Sequence, residues 1–363
     1  MRTFYSLGGT LIALIAVSML AGCSGNTASI APSTAGKTQD LRSMQRPWLQ
    51  INGNNERGRR SDVASKHAVT PPSFFDSSEK GEPLVFVSDY TGNVVDIYRQ
   101  HGNNKMVGQI TGLNGPSGLA SDPTDNLYVT TGSSIPIYAS PYTGMPLLTL
   151  DDTGFFPNGV AISRLGVVGV TNFCNAPSCG NGSGNVVFFA PNSTTQCARV
   201  ADPYNFGFVF FDAFNNRGDL YITGESADYT RDTVGVVRGG CKAKAITLLT
   251  TNSALGGVPS IRVDRRGRIA ITSKSGSVYA IVTYKPPKNG SLGAPVSTTL
   301  LSSSSTPAAD FAFTASGRSL YEANILNPAV AYKYEYPAGG TEEQSIAVGG
   351  QPFGVAVTPP LVP

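Results

Sequence analysis

The 363-residue sequence predicts an all-β fold, a six-bladed β-propeller of four-stranded blades. Three observations carry that expectation. Charged residues make up only 14% of the chain while glycine (41) and proline (25) are abundant, so turns are many and helix formers few. From Leu84 onward one strand–turn–strand pattern recurs at a spacing of roughly 40–50 residues, the length of a propeller blade. The two ends of the repeating region are incomplete, and each supplies what the other lacks.

The repeats can be read in order. Pro116–Asp122 is followed by Asp125–Thr130 and Ile135–Tyr138, and Pro157–Ser163 by Gly166–Val170 and Asn185–Phe189. Phe208–Asp212 leads to Gly218–Ile222 and Val234–Val237, and Ile261–Asp264 to Gly267–Ile271 and Ser277–Ile281. Phe311–Thr314 leads to Gly317–Tyr321 and Val330–Tyr336. In each, a short apolar strand reaches a turn rich in Asp, Asn or Gly, and a strand of β-branched and aromatic residues returns. A third strand follows, then a weaker fourth such as Leu147–Leu150 or Ile246–Leu249. Leu84–Ser88 and Asn93–Tyr98 are second and third strands with no first strand before them, whereas Gln351–Val357 is a first strand with nothing after it. One blade shared between the ends closes the ring and leaves no open sheet edge. The propeller is expected over residues 81–363.

The N-terminus is of another kind. Arg2 precedes the apolar run Leu7–Met19, which has signal-peptide length and is short for a membrane span. It ends in Leu20-Ala21-Gly22-Cys23, which resembles the lipobox of bacterial lipoproteins. The resemblance implies a leader over residues 1–22, diacylglycerol on Cys23 and a lipid-anchored place in the bacterial cell envelope, with Ser24 resembling the signal for release to the outer membrane. Residues 23–80, rich in Ser, Thr, Ala, Gly and Asn, are expected to be a flexible linker. Its Arg57-Gly58-Arg59-Arg60 cluster reads as solvated, or as a contact with anionic headgroups beside the anchor.

Cys174, Cys179, Cys197 and Cys241 remain once Cys23 is set aside, an even set that favours two disulfides in an exported chain. The pairing expected is Cys174 with Cys179 and Cys197 with Cys241, the second tying neighbouring blades. The net charge of +3 and its concentration before residue 81 argue against a nucleic-acid partner.

The pattern P-x-G-[VL]-A followed by G-N-L-Y-V resembles NHL repeats and, more loosely, the regucalcin/gluconolactonase propellers. That second resemblance implies a divalent metal at the mouth of the central channel, held by a Glu, two Asn and an Asp from first strands. Asn158 carries over. Gln351-Pro352-Phe353 stands where the Glu is needed and Val258-Pro259-Ser260 where the Asp is needed, and a hard cation wants several oxygen ligands. No metal, cofactor or catalytic residue is therefore expected. With two histidines, one in the linker and one at His101 in a turn, a Ser-His-Asp arrangement has no base. The ligand-binding candidates are Phe155, Phe156, Asn158, Tyr204, Phe206, Asp310 and Phe353, near the starts of first strands. The function expected is a binding or interaction module for an envelope protein or glycan, and the alternative is a metal-dependent lactonase-type hydrolase on the same fold.

Overall fold

A computed structural model describes residues 72–175, 179, 183–228, 230–251, 255, 260–275, 278–304, 308–325 and 329–362. The leader, Cys23, the linker as far as residue 71, and Val258-Pro259 lie outside the described residues.

Six antiparallel sheets follow one another along the chain. Blade 1 holds β1 (Phe74–Phe75), β2 (Leu84–Asp89), β3 (Val94–Arg99) and β4 (Met106–Ile110). Blade 2 is β5 (Leu119–Ser121), β6 (Leu127–Val129), β7 (Ser134–Tyr138) and β8 (Leu148–Asp151), and blade 3 is β9 (Phe155–Ile162), β10 (Val168–Asn175), β11 (Asn185–Phe189) and β12 (Gln196–Val200). Blade 4 is β13 (Phe208–Phe214), β14 (Leu220–Glu225), β15 (Asp232–Val237) and β16 (Ile246–Leu249). Blade 5 is β17 (Ile261–Val263), β18 (Ile269–Ser275), β19 (Val278–Tyr284) and β20 (Pro295–Leu301), with β24 (Gly339–Gly340) added in parallel at its outer edge. Blade 6 is β21 (Ala308–Phe313), β22 (Ser319–Asn324), β23 (Val330–Glu335) and β25 (Gln344–Ala347). The last strand, β26 (Pro352–Thr358), returns to blade 1 and pairs with β2 from Leu84↔Thr358 to Asp89↔Pro352. It is the inner strand that blade 1 lacked, so the closure expected from the two ends is present.

The inner strands β26, β5, β9, β13, β17 and β21 contact one another in turn round the ring. How closely they pack explains the P-x-G motif. A Cβ on Gly118 would overlap the Asn158 carbonyl oxygen of the next blade, and one on Gly354 would overlap the Ser117 carbonyl oxygen. A Cβ on Gly159 would lie 2.9 Å from Phe210 O and from the Phe211 Cα. None of the three has a positive φ, so glycine is needed for close approach and not for turn geometry. Gly118→Ala is expected to destabilise the ring by about 1–3 kcal/mol through overpacking against backbone that cannot yield. A chemical-denaturation midpoint equal to that of the parent would refute this reading of the motif.

The inner turns follow the expected chemistry. Asp122 accepts from the backbone N–H groups of Thr124 and Asn126, Asn215 from Arg217 and Asp219, and Asp264 from Arg266 and Arg268. Both disulfides are paired as expected, Cys174 with Cys179 and Cys197 with Cys241. The second joins β12 of blade 3 to the turn after β15 in blade 4. The folded body begins earlier than residue 81. β1 pairs with β4 at Phe74↔Gln109 and Phe75↔Gly108, and Glu79, on the short 3-10 turn Ser77–Glu79, is buried in an ion pair with Arg99. The composition of this stretch is linker-like, and the signals that dock it are two aromatics and one acid.

Candidate functional site: the central channel

The six inner strands can be placed in register by the residue each pairs with on its second strand. The pairs are Ala356↔Phe86, Ala120↔Tyr128, Ala161↔Gly169, Ala213↔Tyr221, Arg262↔Ala270 and Ala312↔Tyr321. Five blades carry alanine at this position and blade 5 carries Arg262. One residue earlier stand Val355, Leu119, Val160, Asp212, Ile261 and Phe311, so blade 4 alone is charged there. One earlier again, blades 1 to 3 have Gly354, Gly118 and Gly159, while blades 4 to 6 have Phe211, Ser260 and Asp310. The charged departures from the repeat fall in three successive blades and converge.

Arg262 bridges them. Its Nη2 donates to Asp310 Oδ2 at 2.7 Å and its Nη1 to the Asp212 carbonyl oxygen at 3.2 Å. Asp310 is wholly buried and also accepts from Ser260 Oγ (2.7 Å), the Phe311 N–H (2.8 Å) and the Val355 N–H (3.3 Å). The network thus ties blades 4, 5, 6 and 1 at the ring's inner edge. Burial raises the Asp310 carboxyl from its ordinary value, and Arg262 and the three other donors pull it down. Asp212 is 1% exposed and neither of its carboxylate oxygens has a hydrogen-bond partner. Burial pushes its carboxyl well above the usual carboxylate range, against the pull of Arg262.

Asp212 and Arg262 line a cavity of about 150 Å³ at the end of the channel where the inner strands finish. Val160, Phe214, Phe313 and Val355 give it apolar walls, and Arg164, Asn216 and the C-terminal segment Pro360–Val362 stand at its margin. The other end of the channel is filled. Phe211 of blade 4 and Phe353 of blade 1, on opposite sides of the ring, stack with centroids 6.0 Å apart, and Tyr90 lies 6.2 Å from Phe353.

Most of the residues expected to bind a ligand belong to that filled end. Phe353 is 2% exposed within the stack, and Phe206 is fully buried in the core between blades 3 and 4. Phe155 is 9% exposed beneath the Arg199 guanidinium, and Phe156 packs on the central aromatic cluster. Asn158 is buried, its Nδ2 donating to the Phe210 carbonyl oxygen at 2.7 Å. Tyr204 alone is broadly exposed, with the Arg231 guanidinium 5.8 Å from its ring. Of the seven, only Asp310 reaches the network beside the cavity.

The metal that the sequence resemblance implies does not fit these residues. Asn158 is committed to a carbonyl, phenyl rings fill the channel beside it, and Asp310 is already taken by the Ser260 hydroxyl and the Arg262 guanidinium. Among the described residues no group of three or more His, Cys, Asp or Glu could hold a metal ion.

Two further buried acids give the fold a pH dependence. Burial pushes Asp152 up to about 7 and Glu322 up to about 8, with hydrogen bonds from Asn172 and Ser304 respectively acting the other way. In the unfolded chain such carboxyls titrate near 4. Above that pH the folded state holds protons that the unfolded state has lost, so stability falls as pH rises towards 7–8. The melting temperature is expected to be higher at pH 5 than at pH 8, the difference being several kcal/mol at most at about 1.4 kcal/mol per unit. The Asp152→Asn/Glu322→Gln variant should flatten that slope. A parent profile flat over this range would contradict it.

Neither a family model nor a curated protein matches the sequence. Solved structures similar to this chain bear out the expected fold. They include a protein of unknown function from Bacteroides caccae (11% identity, TM-score 0.55, covering 76% of this chain and 98% of that one). A gluconolactonase from Xanthomonas campestris matches at 16% identity and TM-score 0.51, over 70% of this chain and 82% of its own. A luciferin-regenerating enzyme matches at 12% identity and TM-score 0.50, over 76% and 94%. At such identities the likeness is one of fold alone, and one fold hosts many functions.

Proposed function

We propose that this chain is an exported, lipid-anchored propeller of the cell envelope that acts as a binding module, with the cavity beside Asp212 and Arg262 as its ligand site. The observation that carries the reading is Asp212. A buried carboxyl with no partner costs about 1–3 kcal/mol, and five of the six blades avoid it with an apolar residue. A group kept at that cost in a cavity wall is explained by a ligand that satisfies it. The filled opposite end and the donor set around Asn158 favour binding over lactone hydrolysis.

The test is a thermal-shift screen of small polar ligands on the mature protein and on Asp212→Ala. The variant should melt higher than the parent and lose the shifts that the parent shows. A variant that melts lower, or keeps every shift, would sink the site. Lactone turnover dependent on a divalent ion and abolished by Asn158→Ala would establish the hydrolase instead. For the anchor, Cys23→Ala should abolish labelling by a radioactive fatty acid in growing cells, and undiminished labelling would remove that part of the reading.

A further inference from the structure

Resting on that reading of the cavity, we infer that its ligand is an acidic saccharide, a sugar carrying a carboxylate or phosphate group, whose anionic group lies on a rim of arginines around the cavity mouth. The ring as a whole is close to neutral, yet exposed arginines recur on the inner turns of four of its blades. The turns β9–β10, β13–β14, β17–β18 and β21–β22, at the cavity end, present Arg164, Arg217, Arg265, Arg266 and Arg318, all exposed. None of the five makes an ion pair among the described residues. The acids on the same turns are already engaged, Asp219 with Arg238 and Asp264 with Arg268. The β5–β6 turn at the same end carries Asp122 and Asp125 in place of an arginine, with Asp122 accepting from the backbone of Thr124 and Asn126. At the opposite end of the blades stand Asp151, Asp202, Asp228 and Asp232, with Arg231 among them.

Inside the rim, the cavity has the mixed character that a sugar requires. Phe214 and Phe313 offer apolar surface to the C–H face of a pyranose, while the unpartnered Asp212 carboxyl and Asn216 can meet its hydroxyls. A volume of about 150 Å³ admits one ring-sized group and leaves the remainder of a longer glycan over the arginines. Arg262 is neutralised by Asp310, so the attraction for an anion comes from the rim and the hydrogen bonding from the floor.

The experiment is calorimetric titration of the full mature chain, made with Cys23→Ser so that it is free of lipid, against trigalacturonate and neutral maltotriose. Trigalacturonate is expected to bind saturably, at least tenfold more tightly than maltotriose, and to weaken as salt is raised. Arg164→Glu/Arg217→Glu should weaken trigalacturonate tenfold or more with the linker arginines untouched, and Asp212→Ala should do the same. Vesicles containing phosphatidylglycerol form a second arm. Binding to them that depends on the rim arginines, with no trigalacturonate binding, would overturn the saccharide in favour of a lipid headgroup. Equal, Asp212-dependent binding of maltotriose would overturn the anionic ligand while leaving the cavity as the binding site. Loss of trigalacturonate binding in the rim variant but not in Asp212→Ala would overturn the cavity's part in it.

Discussion

A chain ending at Gly350 is expected to lose the monomeric ring altogether. Residues 351–363 supply β26, and all seven residues of that strand are buried. Phe353, Val355 and Val357 are each at most 3% exposed, and full burial of such side chains stabilises by roughly 1.5–3 kcal/mol apiece. Their sum, roughly 5–9 kcal/mol, is comparable with the whole net stability of a typical domain, about 5–15 kcal/mol. The truncation also opens the β2 edge, and an unpaired inner edge is a template for another chain. Light scattering should show higher oligomers, and calorimetry should show no transition at the parent's melting temperature. A monomer with unchanged melting would mean that the ring does not depend on the shared blade. Adding residues 351–363 in trans as a peptide should restore part of the monomer, because the groove it fills is otherwise complete.

The architecture was legible because propeller blades are local. Each hairpin's strands and turn are contiguous in sequence, so Asp122, Asn215 and Asp264 announce themselves by spacing alone. The shared blade was legible because its halves were each missing a different strand. The docking of Phe74–Phe75 onto β4 is not legible, because two residues of strand sit in a stretch of linker composition. The ligand-binding candidates are five aromatics, one asparagine and one aspartate near the starts of inner strands, where a propeller's channel has a mouth. Phe206 and Phe353 are buried there because wedge-shaped gaps between blades and across the axis take large apolar groups. Asp212 and Arg262 were visible in principle. They are the positions at which one repeat departs from the other five, a signal that needs the inner strands in register. The bulge between Val209 and Asp212 blurs that register in the sequence.

The Arg262–Asp310 pair provides the test of whether these departures serve the fold or the cavity. Arg262→Met keeps the side-chain volume but strips Asp310 of its cation in a fully buried setting, and is expected to cost about 3–5 kcal/mol. Asp310→Asn alone leaves a half-buried guanidinium facing a neutral amide and should also destabilise. Combining the two removes both charges, and because a buried pair is often no more stabilising than neutral residues of similar size, most of the loss should be recovered. The double-mutant cycle is therefore expected to show strong coupling, measured by denaturant unfolding, where distant pairs would simply add. Additive losses would mean that each residue is held by its other partners and that the ion pair contributes little. Recovery has a functional corollary. Stability returns with neutral residues at both positions, but the guanidinium that lines the cavity does not, so ligand-dependent thermal shifts should stay lost in the double variant. A ring that can be as stable without Arg262 keeps it for what the channel binds, whereas shifts that survive in the double variant would place ligand recognition on Asp212 and the rim alone.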